Sequence, residues 1–370
     1  MDLEDDTNQQ SIKNQTKKLK ILIFTDNHLG YKEKHDIRGN DSFETFDECL
    51  KIAHEKNVDF VLQAGDLFHE AIPTQETMFN TMRILKKHVL GDGDMQFETT
   101  NYKDPNFASE NINIALPIFA IHGNHDIPVT QSNRSTLELL SISGYINYFG
   151  KVLQTETIIK VEPIIFSKHG IQVALYGIGH IKEMSLKRYL NNKDKQIVFV
   201  QPHELTQNNQ PIYSESDSFY KILVMHQNRY KGFQNGAPDS KSILFEELPG
   251  GVFDLIVWGH EHDARPEPEW EQGCGSYVYQ PGSTVATSFS KGEALVKRCG
   301  ILGLSENLNS NIESIVLKET RAMYIESWSV EDFGCETNGA GAVIDEALLL
   351  KKIEDLLKEI LARHKEENCE

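Results

Sequence analysis

Largely apolar runs that end in a polar or charged residue recur along this chain. Ile21-Leu22-Ile23-Phe24-Thr25 leads into Asp26-Asn27-His28, and Val58-Asp59-Phe60-Val61-Leu62-Gln63 into Gly65-Asp66. Pro117-Ile118-Phe119-Ala120 leads into Ile121-His122-Gly123-Asn124-His125-Asp126. Ile222-Leu223-Val224-Met225 leads into His226, and Phe253-Asp254-Leu255-Ile256-Val257-Trp258 into Gly259-His260-Glu261-His262-Asp263. Short apolar runs of this kind read as buried strands, and open α/β sheets place their ligand sites at the carboxyl ends of strands. Between the first two runs, Ser42 to Lys56 carries Phe43, Phe46, Leu50 and Ala53 at helical spacing, with Ser42 as the expected N-cap. That completes a β-α-β unit.

A second helix is expected over Thr74 to Val89, after Pro73. Met78, Met82, Leu85 and Val89 form one stripe; Phe79 and Ile84 lie off it. Apolar residues beyond one stripe fit a helix that packs on its core and on a partner, or one wholly buried in its own core. Gly91 to Asn113 is a long break of low apolar content, and such loops are usually functional or disordered. Ser135 to Ser143 reads as a short helix. From Lys151 to Val200 the pattern is β-rich, with strands near Val152 to Val161, Gln172 to Gly177 and Ile197 to Val200. Gln201 to Ser218 is a polar loop, and Tyr277 to Gln280 is a further strand ending in Pro281-Gly282-Ser283. Beyond Cys299, strands are expected at Ile301 to Leu304, Glu313 to Leu317 and Ala322 to Ser327. A loop over Glu331 to Gly341 and an amphipathic helix over Ala342 to Arg363 follow. The expected plan is a disordered lead-in over 1–17, a main α/β domain over 18–300 and a smaller α/β domain over 301–370. The chain stops just after the last helix, as if cut from something longer.

Composition narrows the classes. The chain has 370 residues, 39% hydrophobic and 25% charged, enough for a full core. No apolar run approaches a membrane span, and the acidic start, Met1 to Asp6, is no secretory signal. The five cysteines are scattered, without a C-x-x-C pair, and read as free thiols in a reducing compartment. Asn-x-Ser/Thr triplets at Asn14, Asn40 and Asn133 are then chance matches. A net charge of -18 counts against a nucleic-acid partner, since such proteins usually carry a basic footprint. Part of the excess lies at the two ends, however, and bound metal or a local basic patch would offset it.

The strand-end residues fit one chemistry. Two divalent ions about 3.5–4 Å apart can clamp the attacking and leaving oxygens of an in-line displacement at phosphorus. One carboxylate must bridge them, and Asp66, in a tight Gly-Asp turn, is the natural candidate. Asp26, His28, Asn124, His226, His260 and His262 supply the remaining ligands. His260 and His262 are two apart and face one side of an extended segment, so each can serve a different ion. Three to four imidazoles with two carboxylates suit Mn²⁺, Fe or Zn²⁺ better than Mg²⁺ alone. A lone Asp-x-His carries no weight; five such sites in order do. His125, adjacent to Asn124, suits the general acid that a leaving 3′ oxygen requires. His69 is either catalytic or a hydrogen-bonding residue behind a ligand.

These motifs resemble the calcineurin-like metallophosphoesterase superfamily. Thr25 to Tyr31, Arg38-Gly39-Asn40-Asp41-Ser42-Phe43, Gly65-Asp66-Leu67-Phe68-His69 and Gln280 to Ser283 further resemble the eukaryotic DNA double-strand-break repair nuclease of the meiotic recombination eleven family, related to bacterial SbcD. The resemblance covers roughly Lys18 to Ser327. It implies a four-layer β-sandwich flanked by helices with a smaller α/β DNA-capping domain, and two Mn²⁺ ions, with Mg²⁺, Fe or Zn²⁺ as substitutes. One ion would be held by Asp26, His28, Asp66 and His262, the other by Asp66, Asn124, His226 and His260. His125 would be the general acid, and His69 its helper in placing DNA. The implied activities are Mn²⁺-dependent 3′-to-5′ exonuclease on duplex ends and endonuclease on single strands and hairpins. The implied partners are DNA, a second copy through helices 74–89 and 135–143, an SMC-like coiled-coil ATPase and a third regulatory subunit near loop 91–113, in the nucleus and without a membrane. The segment expected to dock the ATPase, and a basic tail, are absent before Glu370.

Three rivals remain on the sequence. A protein phosphatase shares the two-metal core, but its second motif continues with Val-Asp-Arg-Gly, where this chain has Leu67-Phe68-His69, and its third ends in Glu, where this chain has Asp126. A small-nucleotide phosphodiesterase is the second, and a catalytically idle scaffold subunit of a repair complex the third.

Overall fold

A computed structural model of the chain describes residues 18–129, 133–152, 156–191, 196–231, 233–234, 237–238, 241–325, 337–338, 341–342 and 346–367. Two sheets carry the architecture. In the first, β1 (Leu19–Phe24), β2 (Phe60–Ala64), β4 (Ile118–Ile121) and β5 (Asn147–Tyr148) run parallel; β18 (Arg298–Leu304) and β19 (Ser310–Val316) extend its β1 edge antiparallel. In the second, β8 (Ile171–Ile178), β12 (Tyr220–His226), β15 (Leu255–Gly259) and β17 (Ser276–Tyr279) run parallel. Antiparallel strands flank them: β16 (Glu269–Glu271) on one edge, β7 (Ile164–Lys168) and then β3 (Glu98–Thr100) on the other. A parallel pair, β6 (Ile158–Val161) with β9 (Gln196–Phe199), and three short hairpins, β10–β11 (206–211), β13–β14 (233–238) and β20–β21 (337–342), complete the strands.

Alternation along the strands sets the layers. Leu19, Ile21 and Ile23 of β1 join Val173, Leu175, Ile222, Val224, Leu255 and Val257 in one core, so the sheets pack face to face. Leu22 and Phe24 face the other way, under helices α1 (Asp41–Glu55), α2 (Gln75–Val89) and α3 (Thr136–Ile142). On the far side of the second sheet, Tyr176, Leu223, Ile256 and Trp258 pack with Leu186 and Tyr189 of α4 (Glu183–Asn191). The result is the expected four-layer α/β sandwich. Central strands covered on both faces explain why the sequence shows continuous apolar runs rather than alternation.

Several boundaries differ from expectation. Helix α1 starts at Asp41, and Ser42 lies inside it, buried, with its hydroxyl unpaired. The residue before the helix, Asn40, makes no side-chain cap bond, and the Asp41 carboxylate instead accepts a two-pronged contact from Arg321 at 2.9 and 2.7 Å. The 91–113 segment is not structureless. It contributes edge strand β3, and its Phe97 is buried against Phe60 and Phe166. Strand β7 and helix α4 were not expected. Helix α2 is neither wholly buried nor one-sided: Ile84, Leu85 and Val89 are buried, whereas Phe79 is 62% exposed. Strands β18 and β19, expected in a second domain, belong to the first sheet because β18 pairs with β1 over five residues. The larger compact unit therefore runs through Leu295–Arg321 rather than stopping at 300, and the smaller one comprises Phe289–Ala294 and Ala322–Glu370. Helix α5 (Glu346–Glu367) lies in the smaller unit. No strand forms at 322–325, and the remainder of the expected 322–327 strand, like the 1–17 lead-in, lies outside the described residues.

Candidate metal centre

The parallel strands of both sheets deliver their ends to one place. Asp26 and His28 follow β1, Asp66 follows β2, Asn124 follows β4, His226 closes β12, and His260 and His262 follow β15. Asp26, His28 and His262 present ligand atoms within 4.8 Å of one another, and so do Asp66, His226 and His260. His262 Nε2 lies 3.5 Å from Asp26 Oδ1, and His226 Nε2 lies 3.3 Å from Asp66 Oδ2. His28 Nε2 lies 3.8 Å from both carboxylates. Asn124 Oδ1 lies 2.8 Å from His260 Nδ1 and 3.2 Å from His226 Nε2. All seven residues expected as ligands are thus brought together, with Asp66 between the two sets.

Main-chain geometry does much of the positioning. Asp26, His28, Asp66 and His260 have φ of +51°, +45°, +52° and +84°, a left-handed conformation that Asp and His tolerate better than most side chains. Two glycines leave room for the site. A Cβ on Gly123 would sit 2.1 Å from Asp66 Oδ1, and one on Gly65 would sit 2.3 Å from His226 Nδ1. The Asp66 and Asn124 turns are tied together by Asp126, whose carboxylate accepts N–H bonds from Gly123 at 2.6 Å, Leu67 at 2.7 Å and Phe68 at 3.3 Å. The His125 amide donates to Asp66 Oδ1 at 2.8 Å.

Tautomers follow from the outer contacts. Nδ1 of His226 donates to the Ala64 carbonyl at 2.8 Å, which leaves Nε2 as the nitrogen facing Asp66. Burial pushes His28 and His260 down to about 3, against the pull of the carboxylates, so both are neutral imidazoles. Asp66, against its burial, is held at about 2 by His226 and His28. Burial opposes a proton on His226, but Asp66 and Asp26 outweigh it and lift the group to about 9. A divalent cation held by Asp26 and Asp66 would supply that positive charge in place of the imidazole's proton. Asp26 Oδ1 is fully buried and makes no hydrogen bond; around it stand the ring nitrogens of His262, His28 and His226 at 3.5 to 3.8 Å, a spacing that leaves room for a shared cation and a placement that favours one. Converging lone pairs of carboxylate, amide oxygen and imidazole are the donor set of a divalent metal site.

His69 and His125 stand beside this centre, on its half-buried side. Together with His28 they form a third cluster of imidazoles. The His69 and His125 rings stack at 5.0 Å. His125 Nδ1 donates to the His69 carbonyl at 2.7 Å, which fixes the orientation of the ring. Burial, and then His125, lowers the His69 pKa.

Several contributors escaped sequence reasoning. Asp126 appeared only as a motif letter, and Thr287, 3.2 Å from His262 Nδ1, gave no signal. His180 donates from Nδ1 to the His226 carbonyl at 3.2 Å. It follows the apolar run of β8 just as the ligands follow theirs, so the strand-end rule would have found it.

Comparison with known proteins agrees with this geometry. A family model described as calcineurin-like phosphoesterase matches residues 19–264. The double-strand break repair protein MRE11 of Mus musculus is 35% identical over 352 residues, covering 91% of this chain and 47% of the relative. MRE11 of Gallus gallus is 38% identical over 324 residues (85% and 43%), and that of Arabidopsis thaliana 38% over 308 residues (78% and 40%). The chain spans less than half the length of these curated relatives.

Proposed function

Because the chain belongs to the calcineurin-like phosphoesterase family, on its double-strand break repair branch, we propose that it is a divalent-metal-dependent DNA nuclease that hydrolyses phosphodiesters at double-strand breaks. The observation that carries this reading is the pair of ligand sets meeting at Asp66, with His125 beside them. We assign Asp26, His28, Asp66 and His262 to one cation and Asp66, Asn124, His226 and His260 to the other. The imidazole-rich set suits Mn²⁺, Fe or Zn²⁺ better than Mg²⁺ alone, and Mn²⁺ is the ion we assign. Bound cations supply the positive charge that activates water and polarises the scissile phosphate.

The side chains do the rest. Asp66 is fixed for its bridging position by the His125 amide. His125, its ring oriented by the His69 carbonyl, protonates the leaving 3′ oxygen. His69, stacked on it, buttresses that ring and borders the path of DNA. The proposed activities are 3′-to-5′ exonuclease on duplex ends and endonuclease on single strands and hairpins. Purified protein incubated with a 3′-labelled blunt duplex should release nucleotides with Mn²⁺ and none with EDTA, and should leave a phosphopeptide intact. Phosphate release from the peptide without DNA cleavage would favour the phosphatase reading; silence on both would favour an inert scaffold.

The proposed assembly is a homodimer through α2 and α3, joined by an SMC-like ATPase and by a third subunit near 91–113, in the nucleus. Residues from 322 onward would begin the DNA-capping domain. Three exposed apolar side chains support the dimer face: Phe79 at 62%, Leu139 at 57% and Ile142 at 86%. Met78 and Met82, by contrast, pack against the protein's own core. Phe79→Glu combined with Leu139→Glu should therefore give a monomer by light scattering with the unfolding midpoint kept, and an unchanged dimer would refute this face.

A further inference from the structure

The four imidazoles assigned to the cations are held from behind in different ways. His226 leans on a backbone carbonyl, His262 on the Thr287 hydroxyl, and His28 lies 3.4 Å from a nitrogen of His69. His260 alone leans on a side-chain amide that is itself anchored by a carboxylate. Its Nε2 lies 2.7 Å from Asn228 Oδ1, and Asn228 Nδ2 lies 2.8 Å from Glu183 Oε1.

That chain has only one sense. An ionised carboxylate can only accept, so Asn228 gives its NH₂ to Glu183 and its carbonyl to His260. His260 Nε2 must then carry the hydrogen, and Nδ1, facing Asn124 Oδ1 at 2.8 Å, is left with the lone pair a metal requires. His260 lies just past β15 with φ +84°, so no regular element fixes its ring. Glu183 stands on the first turn of α4, and His180, three residues earlier, holds the His226 carbonyl. The β8–α4 connection and the first turn of α4 thus reach the main chain of His226 and, through Asn228, the ring of His260.

We propose that Glu183 is a positioning residue that, through Asn228, fixes the tautomer and orientation of His260 and thereby sets the affinity of the second cation relative to the first. The inference rests on the metal-centre assignment above. Outer partners of metal-bound histidine typically change affinity about ten- to a hundredfold.

Titration of metal-free protein with Mn²⁺, followed by calorimetry and by the spin-coupled electron paramagnetic resonance signal of an ion pair, tests it. Wild type should take two ions. Glu183→Ala should keep the first and bind the second about ten- to a hundredfold more weakly, losing the coupled signal at low Mn²⁺ and recovering it at high Mn²⁺. Glu183→Gln, which retains an acceptor oxygen, should behave as wild type, and both variants should keep the wild-type unfolding midpoint. Glu183→Ala binding both ions as tightly as wild type would overturn the proposal. So would equal weakening of both ions, or a Glu183→Gln variant as weak as Glu183→Ala. A wild type that takes fewer than two ions would sink the metal-centre reading instead.

Discussion

Replacing His125 by Asn should lower the rate of DNA cleavage about 10²- to 10⁴-fold while leaving bound metal unchanged. The loss is the usual contribution of a positioned general acid. The retention of metal follows from geometry. What His125 gives the ligand set is its backbone amide, bonded to Asp66 Oδ1, and a side-chain substitution leaves that bond in place. The Asn amide can still donate to the His69 carbonyl that the imidazole uses now, so the loop has no reason to move. Cleavage of a substrate with a good leaving group, such as a nitrophenyl phosphodiester, should be much less affected, because its departing oxygen needs no proton. Metal content measured beside the two rates checks all three expectations. Loss of metal in the variant, or equal loss on both substrates, would remove His125 from the acid role.

Asp126→Ala should be the most damaging change to the fold near the site. Three buried N–H groups from two separate turns converge on this carboxylate, and each donor left unsatisfied costs roughly 1–3 kcal/mol. A destabilisation of at least about 3 kcal/mol is expected, read as a shift of the denaturant midpoint, together with loss of metal, since the turns it joins carry Asp66 and Asn124. Asp126→Asn should be nearly as harmful. It keeps one acceptor oxygen but puts two hydrogens where donors already point. A stable, metal-loaded Asp126→Ala protein would show that the turns hold their shape without the clamp.

Both residues belong to a motif visible in the chain, yet only one of their roles was. The ligands were legible because each follows an apolar run, and runs buried on both faces have to end at a sheet edge. The layered fold was legible for the same reason. What stayed hidden depended on partners distant in sequence. Strands β18 and β19 look like any other strands until β18 meets β1. The 91–113 segment reads as polar because its few aromatics are spaced irregularly, and Phe97, Tyr102 and Phe107 pack largely on Phe60, Phe119 and Phe166, far away in sequence. Ser42 looked like a cap because a serine stands just before the apolar stripe, whereas the helix begins one residue earlier, behind Asn40, with no side-chain cap. The Glu183–Asn228–His260 chain joins the start of α4 to two separate loops, and no spacing rule connects them.

The left-handed backbone at Asp26, His28, Asp66 and His260 bears on how this protein would respond to engineering. Each such residue costs roughly 1–2 kcal/mol relative to an ordinary conformation, somewhat less for Asp and His, and a whole domain is stable by only about 5–15 kcal/mol. A library screened for heat resistance alone would favour glycine at these four positions, where it relaxes the main chain at no steric cost. The survivors would be sturdier proteins stripped of the groups that meet the metal. Selection for robustness here has to be coupled to selection for metal retention.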